Sequence, residues 1–139
     1  MIFKTSSETE TMAVASEFAL TLDPFSIILL NGDLGMGKSV FSRAAIRTLM
    51  GQANLDVPSP TFTFVQTYEA PNGNIWHFDL YRLKSPEELY EIGWEDALGQ
   101  GILLIEWPER MGYLMPKQAI SVTITKEIDM ASRQILIER

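Results

Sequence analysis

The 139-residue chain contains no cysteine and a single histidine. Without a thiol it forms no disulfide, performs no thiol chemistry and builds no cysteine zinc site, and one imidazole cannot make a histidine metal cluster. Basic residues are scarce: 11 Lys and Arg stand against 18 Asp and Glu, giving a formal charge of −7. An independent grip on nucleic acid needs a basic stripe that this sequence does not show, so any service to RNA is expected to run through another protein. No apolar run approaches the roughly 18 residues that span a bilayer. Residues 1–7 lack the charged-then-apolar layout of a signal peptide, and a cytoplasmic protein with no membrane partner is expected. Repeats, low-complexity tracts and linkers are also missing. With 46% hydrophobic and 21% charged residues, the composition is that of one globular domain over residues 1–139.

Against these absences stands one complete motif. Gly32-Asp33-Leu34-Gly35-Met36-Gly37-Lys38-Ser39 satisfies the phosphate-cradling pattern G-x-x-x-x-G-K-[ST] without gap or substitution. Residues 26–30 read as a short buried strand ending where the glycines begin, and residues 40–50 as a helix starting where they end. The three glycines let successive backbone N–H groups converge on one anion, and the positive end of the following helix adds to the attraction. Lys38 is expected to bridge the β- and γ-phosphates and the Ser39 hydroxyl to ligate Mg²⁺, with residues 32–39 and the adjoining Val40 forming the nucleotide-binding segment.

Elsewhere, Ser7-x-x-Glu10 is a capping-box pattern ahead of helically spaced apolar residues, predicting a helix over 8–21. Residues 62–68 and 75–81 are β-rich and flank Pro71-Asn72-Gly73-Asn74, which reads as an antiparallel hairpin. Ser85-Pro86-Glu87-Glu88 opens a short helix expected to stop near Gly93, and a second short helix is expected over 95–98. Residues 102–105 form a continuous apolar run, as in a central strand covered on both faces. Residues 120–125 and 134–137 alternate like strands joined by a turn near 129–132. Together these elements predict a three-layer α/β domain of the P-loop nucleotidase kind with a mixed sheet.

A phosphate cradle also needs carboxylates, to hold Mg²⁺ and to orient a water. Glu106 has the better position, an acid directly after four aliphatic residues at a strand end. Asp79 competes with it, as an ion-shell or switch residue. On the alternating strand it shares a face with His77, and a polar pair in so apolar a segment requires partners if buried. His77 by itself reads as a core histidine, and Trp107 as a buried aromatic that could line the site.

These residues together resemble the TsaE (YjeE) family, the small ATPases of bacterial tRNA threonylcarbamoyladenosine biosynthesis. Five segments in one order carry the resemblance over most of the chain: the cradle itself, Ser59-Pro60-Thr61-Phe62-Thr63, His77-Phe78-Asp79-Leu80-Tyr81-Arg82-Leu83, Pro86-Glu87-Glu88-Leu89 and Leu104-Ile105-Glu106-Trp107-Pro108. It implies ATP and Mg²⁺ as the bound groups, with Lys38 and Ser39 on phosphate and metal, Glu106 as the acid at the metal, Asp79 in a second carboxylate motif and Thr61 as a switch threonine. The family's N-terminal threonine region and C-terminal Gly-Arg pair contact nucleotide. Thr9, Thr11 and Arg133 are the nearest counterparts here, with Ser132 in place of the glycine. Met36 stands where the family usually has alanine and Ser39 where it usually has threonine; serine keeps the ligating hydroxyl.

The resemblance further implies a complex with TsaB and TsaD, in which TsaD performs the threonylcarbamoyl transfer, ATP hydrolysis here supports its turnover, and tRNA is met only indirectly. Alone, the chain is expected to be a monomer or to self-associate weakly. No arginine can be assigned from sequence as a charge-stabilising finger, so hydrolysis by the isolated chain is expected to be slow. A small-molecule kinase is the first rival, but its Arg-rich lid has no counterpart in six arginines scattered at 43, 47, 82, 110, 133 and 139. A GTPase switch would need an N/T-K-x-D motif that is absent. A third reading keeps the nucleotide but not its hydrolysis, with binding merely ordering Thr61 and its loop to dock a partner.

Overall fold

The structure, a computed structural model, describes residues 1–129 and 131–139. Seven strands are present among them: β1 (Ile2–Thr5), β2 (Ile27–Asn31), β3 (Val65–Ala70), β4 (Gly73–Asp79), β5 (Gly101–Glu106), β6 (Ile120–Lys126) and β7 (Arg133–Glu138). They form one mixed sheet in the order β1-β7-β6-β2-β5-β4-β3. The three central pairings, β6 with β2, β2 with β5 and β5 with β4, are parallel, and the outer three are antiparallel.

Alternation along the central strands divides the core in two. Ile28, Leu30, Ile75 and Leu104 pack with Phe18 of α1 (Glu8–Ala19) and with Phe41 and Ala44 of α2 (Lys38–Met50). Leu29, Phe78, Leu103 and Ile105 face the opposite way, onto Leu89, Trp94 and Met111. Those three residues come from two 3₁₀ segments, Pro86–Ile92 and Pro108–Leu114, and from the one-turn helix α3 (Trp94–Ala97). The architecture is therefore three-layered and α/β, with a mixed sheet. Every residue of β5 is buried, as a strand covered on both faces requires.

Local chemistry explains most of the boundaries. Ser7 Oγ accepts from Glu10 N at 3.1 Å and starts α1. The Glu10 carboxylate closes the loop one residue earlier than the pattern predicts, on Ser6 N and Ser6 Oγ, both at 3.0 Å. The helix ends at Ala19 rather than at 21. Gly51, at φ 67°, terminates α2, its N–H and that of Gln52 satisfying the carbonyls of Thr48 and Arg47. Before the second-layer 3₁₀ segment, Glu88 accepts from Lys84 N at 2.7 Å and Ser85 N at 2.9 Å.

Several expectations shift. The strand predicted over 62–68 begins only at Val65, because Phe64 takes a left-handed φ of 70° and donates its N–H to Pro60 O at 2.7 Å, making residues 61–64 a turn. Its partner, predicted over 75–81, spans Gly73–Asp79, so the hairpin loop is only Pro71 and Asn72. The predicted strand and helix around the cradle begin one residue later and two residues earlier, at Ile27 and Lys38. β1 and the Pro108–Leu114 segment have no counterpart among the predicted elements. The turn expected at 129–132 includes Met130, which lies outside the described residues; beside it, Asp129 Oδ1 accepts from Ala131 N and Ser132 N.

Gly101 opens β5 where it runs against Asn74 of β4. An added Cβ there would overlap the Asn74 carbonyl oxygen, a backbone atom that cannot swing aside. Gly101→Ala is accordingly expected to lower stability by about 2–3 kcal/mol, at the upper end of overpacking costs, visible as a fall in the urea midpoint at unchanged slope.

Candidate nucleotide site

Parallel pairing of β2, β5 and β4 brings their carboxyl ends to one edge of the sheet, where ligands bind in open α/β folds. Register makes this concrete: Glu106 stands opposite Leu30 on one side and Asp79 on the other. The chain leaves β2 at Asn31, turns through the glycine-rich segment and enters α2 at Lys38. Gly35 and Gly37 take φ values of 78° and 106°, in the region closed to most side chains. Gly32, at φ 149°, is required by close packing as well, since a Cβ there would lie 2.7 Å from the Ile124 carbonyl oxygen of β6.

The start of α2 is left open to an anion. Its N-cap is Gly37, no side chain caps it, and no acid stands in its first turn. The early N–H groups of the helix thus carry their partial positive charge with no protein oxygen set against them. Lys38, only 6% exposed, has its Nζ buried with no hydrogen-bond partner. The ammonium lies 3.4 Å from the centroid of the Trp107 ring. Burial pulls the Lys38 pKa down from its ordinary value of 10.5, against the opposing pull of Glu106, Glu109, Asp79 and Asp33. Trp107, at φ 59°, turns the chain out of β5 directly after Glu106.

A cavity of about 310 Å³ lies here, its wall including Lys38, Ser39, Thr61, Asp79, Glu106 and Trp107. Leu34, Gly35, Gly37 and Val40 complete its loop side. The two carboxylates differ in what they already do. Asp79 spends both oxygens on the protein: Oδ2 accepts from Thr61 Oγ1 at 3.1 Å and Oδ1 from Tyr81 N at 3.0 Å. Thr61 Oγ1 also lies 2.7 Å from Ser59 Oγ. Glu106 takes Ser42 and His77 on a single oxygen, Oε2, at 3.2 and 2.7 Å.

A smaller cavity of about 130 Å³ shares Gly35, Gly37 and Val40 with the first and is closed by Thr11, Met36 and Arg133. Arg133 donates from Nε to Met36 O at 3.1 Å and from Nη2 to Gly35 O at 3.5 Å, tying β7 to the cradle. Thr11 is buried, its hydroxyl 2.8 Å from that of Thr5. Thr9 is exposed and lines neither cavity, and neither do Gly32 and Asp33. Ser7 and Glu8 do, yet carry no sequence signal beyond the helix cap. Ser42 likewise sits at Glu106 with no local mark of it.

The family described as "Threonylcarbamoyl adenosine biosynthesis protein TsaE" matches residues 5–135. The chain belongs to the TsaE family. A TsaE from Rickettsia bellii is 51% identical over 118 residues, which cover 85% of this chain and 81% of the relative. One from Bacillus subtilis is 30% identical over 128 residues, covering 91% and 78%. Both bear the name "tRNA threonylcarbamoyladenosine biosynthesis protein TsaE". Among solved structures, YdiB of Bacillus subtilis superposes with a TM-score of 0.76 at 27% identity, over 97% of this chain and 82% of that one. Among the described residues of this TsaE-family chain, no helix is long and apolar enough to cross a membrane.

The donor set also fits the groups the family implies. Among the described residues no cluster of three or more His, Cys, Asp and Glu could hold a metal unaided. Magnesium seldom uses such a cage, being held by one or two carboxylates together with substrate phosphates. One hydroxyl at Ser39 and one half-engaged carboxylate at Glu106, beside an open helix end, match that habit.

Proposed function

We propose that this chain binds Mg-ATP at the mouth of α2 and hydrolyses it slowly, as an accessory to tRNA threonylcarbamoyladenosine biosynthesis that acts with TsaB and TsaD. The observation that carries the reading is Lys38: a buried ammonium with no hydrogen-bond acceptor, next to a helix start with no cap. Both are deficits that a polyphosphate would fill at once.

In this reading Gly35, Gly37 and the first turn of α2 bind phosphate through main-chain N–H groups, and Lys38 leaves the Trp107 face to meet the terminal phosphates. Ser39 and Glu106 hold Mg²⁺, which when bound neutralises charge on the β- and γ-phosphates. Glu106 is also the group placed to orient a water, because Asp79 is committed to Thr61 and Tyr81. Asp79 then acts through Thr61, linking the turn at residues 61–64 to the phosphate end of the cavity. The smaller cavity, between α1 and Arg133, is the place for the nucleoside.

The test combines calorimetry of the full chain with Mg-ATP, phosphate release with and without TsaB and TsaD, and nucleoside analysis of tRNA after depletion. Binding, acceptor-free phosphate release that rises with the partners, and loss of the modified adenosine are expected. ADP formed only when a small-molecule acceptor is present, with the phosphoryl group on that acceptor and none released as free phosphate, would favour a kinase instead.

A further inference from the structure

Glu106 is 3% exposed, and a carboxylate so deep requires hydrogen-bond partners. Its two partners share an oxygen. Oε2 accepts from Ser42 Oγ at 3.2 Å and meets His77 Nε2 at 2.7 Å, while among the described residues no hydrogen bond falls on Oε1. The arrangement spans three elements: β4 supplies the imidazole, α2 the hydroxyl and β5 the acid. His77 stands opposite Leu104, two residues before Glu106 and on the same face of the sheet, so strand register alone brings the ring to that oxygen.

His77 is itself 2% exposed, and its Nδ1 is buried with no partner. A proton on Nδ1 would be a donor stranded in the core, the rarer kind of unsatisfied group. The arrangement therefore selects the tautomer with its proton on Nε2, donated to Glu106. A glutamate carboxylate otherwise turns freely about its last torsion, whose energy profile is broad. Two donors on one oxygen remove that freedom.

We propose that His77 and Ser42 are positioning residues: they hold Glu106 by Oε2, so that Oε1 is the oxygen offered to metal and water in the cavity. This rests on Glu106 being the acid of the hydrolytic site. Groups that orient a metal-site carboxylate in this way typically contribute about 10- to 100-fold to affinity or rate. His77→Leu is then expected to lower kcat for ATP by about that factor, with KM for ATP within about twofold of the parent, because the phosphate cradle is untouched. His77→Gln, whose amide can reach the same oxygen, is expected to recover most of the rate. Ser42→Ala is expected to lose about tenfold.

The chain offers a readout separate from turnover. Its only histidine gives one set of imidazole ¹⁵N signals, and these are expected to report a proton on Nε2 in the ligand-free parent. An unprotonated Nε2 would overturn the inference, as would equal rate losses in His77→Leu and His77→Gln, or a raised KM with kcat retained. The spectrum of the parent and Ser42→Ala carry the test however well His77→Leu folds. Full activity in His77→Leu beside an inactive Glu106→Gln would sink this inference alone. Glu106→Gln turning over like the parent would instead sink the hydrolytic reading on which it rests.

Discussion

Lys38→Met is expected to weaken Mg-ATP binding by at least tenfold while making the ligand-free protein more stable. Among the described residues the native ammonium is buried with no hydrogen-bond acceptor and lies 3.4 Å from the centroid of the Trp107 ring. Its pKa lies below the ordinary value even though four acids pull the other way, so the cost of burial exceeds their combined attraction. Methionine keeps the stem and removes the charge. The gain is expected to be about 1 kcal/mol, the scale of one unsatisfied buried group, or roughly 3 °C in melting temperature.

The sign of the pH dependence follows from proton counting. Between the lowered native pKa and the unfolded value, the unfolded chain holds more protons than the native one, so the parent gains stability as pH rises through that window, whose upper edge is 10.5. Lys38→Met lacks this rise. Its loss of function is larger than its gain in stability. A charge-assisted bond to phosphate is worth about 1.5–3 kcal/mol, so Mg-ATP affinity is expected to fall by about 10- to 100-fold or more. Calorimetry checks the binding, and thermal melts at pH 7 and near pH 10 check the stability. Unchanged affinity would mean that Mg-ATP binds without its phosphates resting on Lys38.

Glu106→Gln is the second large expected effect, and it separates binding from chemistry. The amide oxygen of glutamine can still accept from Ser42 and His77, so the buried packing survives and ATP is expected to bind within a few-fold of the parent. Turnover is expected to fall by about 10²- to 10⁴-fold, the usual contribution of a positioned acid or base. Phosphate release measured with TsaB and TsaD present reads the loss. If tRNA modification nevertheless persists in cells carrying this variant, nucleotide binding without hydrolysis is sufficient, and the turn at residues 61–64 acts as a docking switch.

The contrast between the two carboxylates shows where a sequence stops being informative. Alternation along β4 correctly set His77 and Asp79 on one face, because side chains on a strand alternate whatever its neighbours are. It could not say that His77 meets Glu106, 29 residues away, or that Ser42 joins them from 64 residues away. Those contacts need the parallel pairing of β4 with β5 and the seat of α2 on that face. The displaced strand start at Val65 has a similar cause. β-rich composition argued for a strand from 62, but one left-handed residue at Phe64 and a single bond to Pro60 O turned the chain there.

β1 leaves no legible pattern in the sequence because it is only four residues at a sheet edge, with Ile2 exposed. Short-range chemistry written in neighbouring residues was enough for the glycine-rich cradle, the helix caps, the buried central strand and the α/β class, since each depends on spacings of a few residues. Which strand lies beside which, and hence which acid keeps an oxygen free and which lysine rests on which aromatic ring, was set by packing across the sheet. Contacts between residues tens of positions apart leave no periodic trace along the chain, and they exist only once the layers have closed.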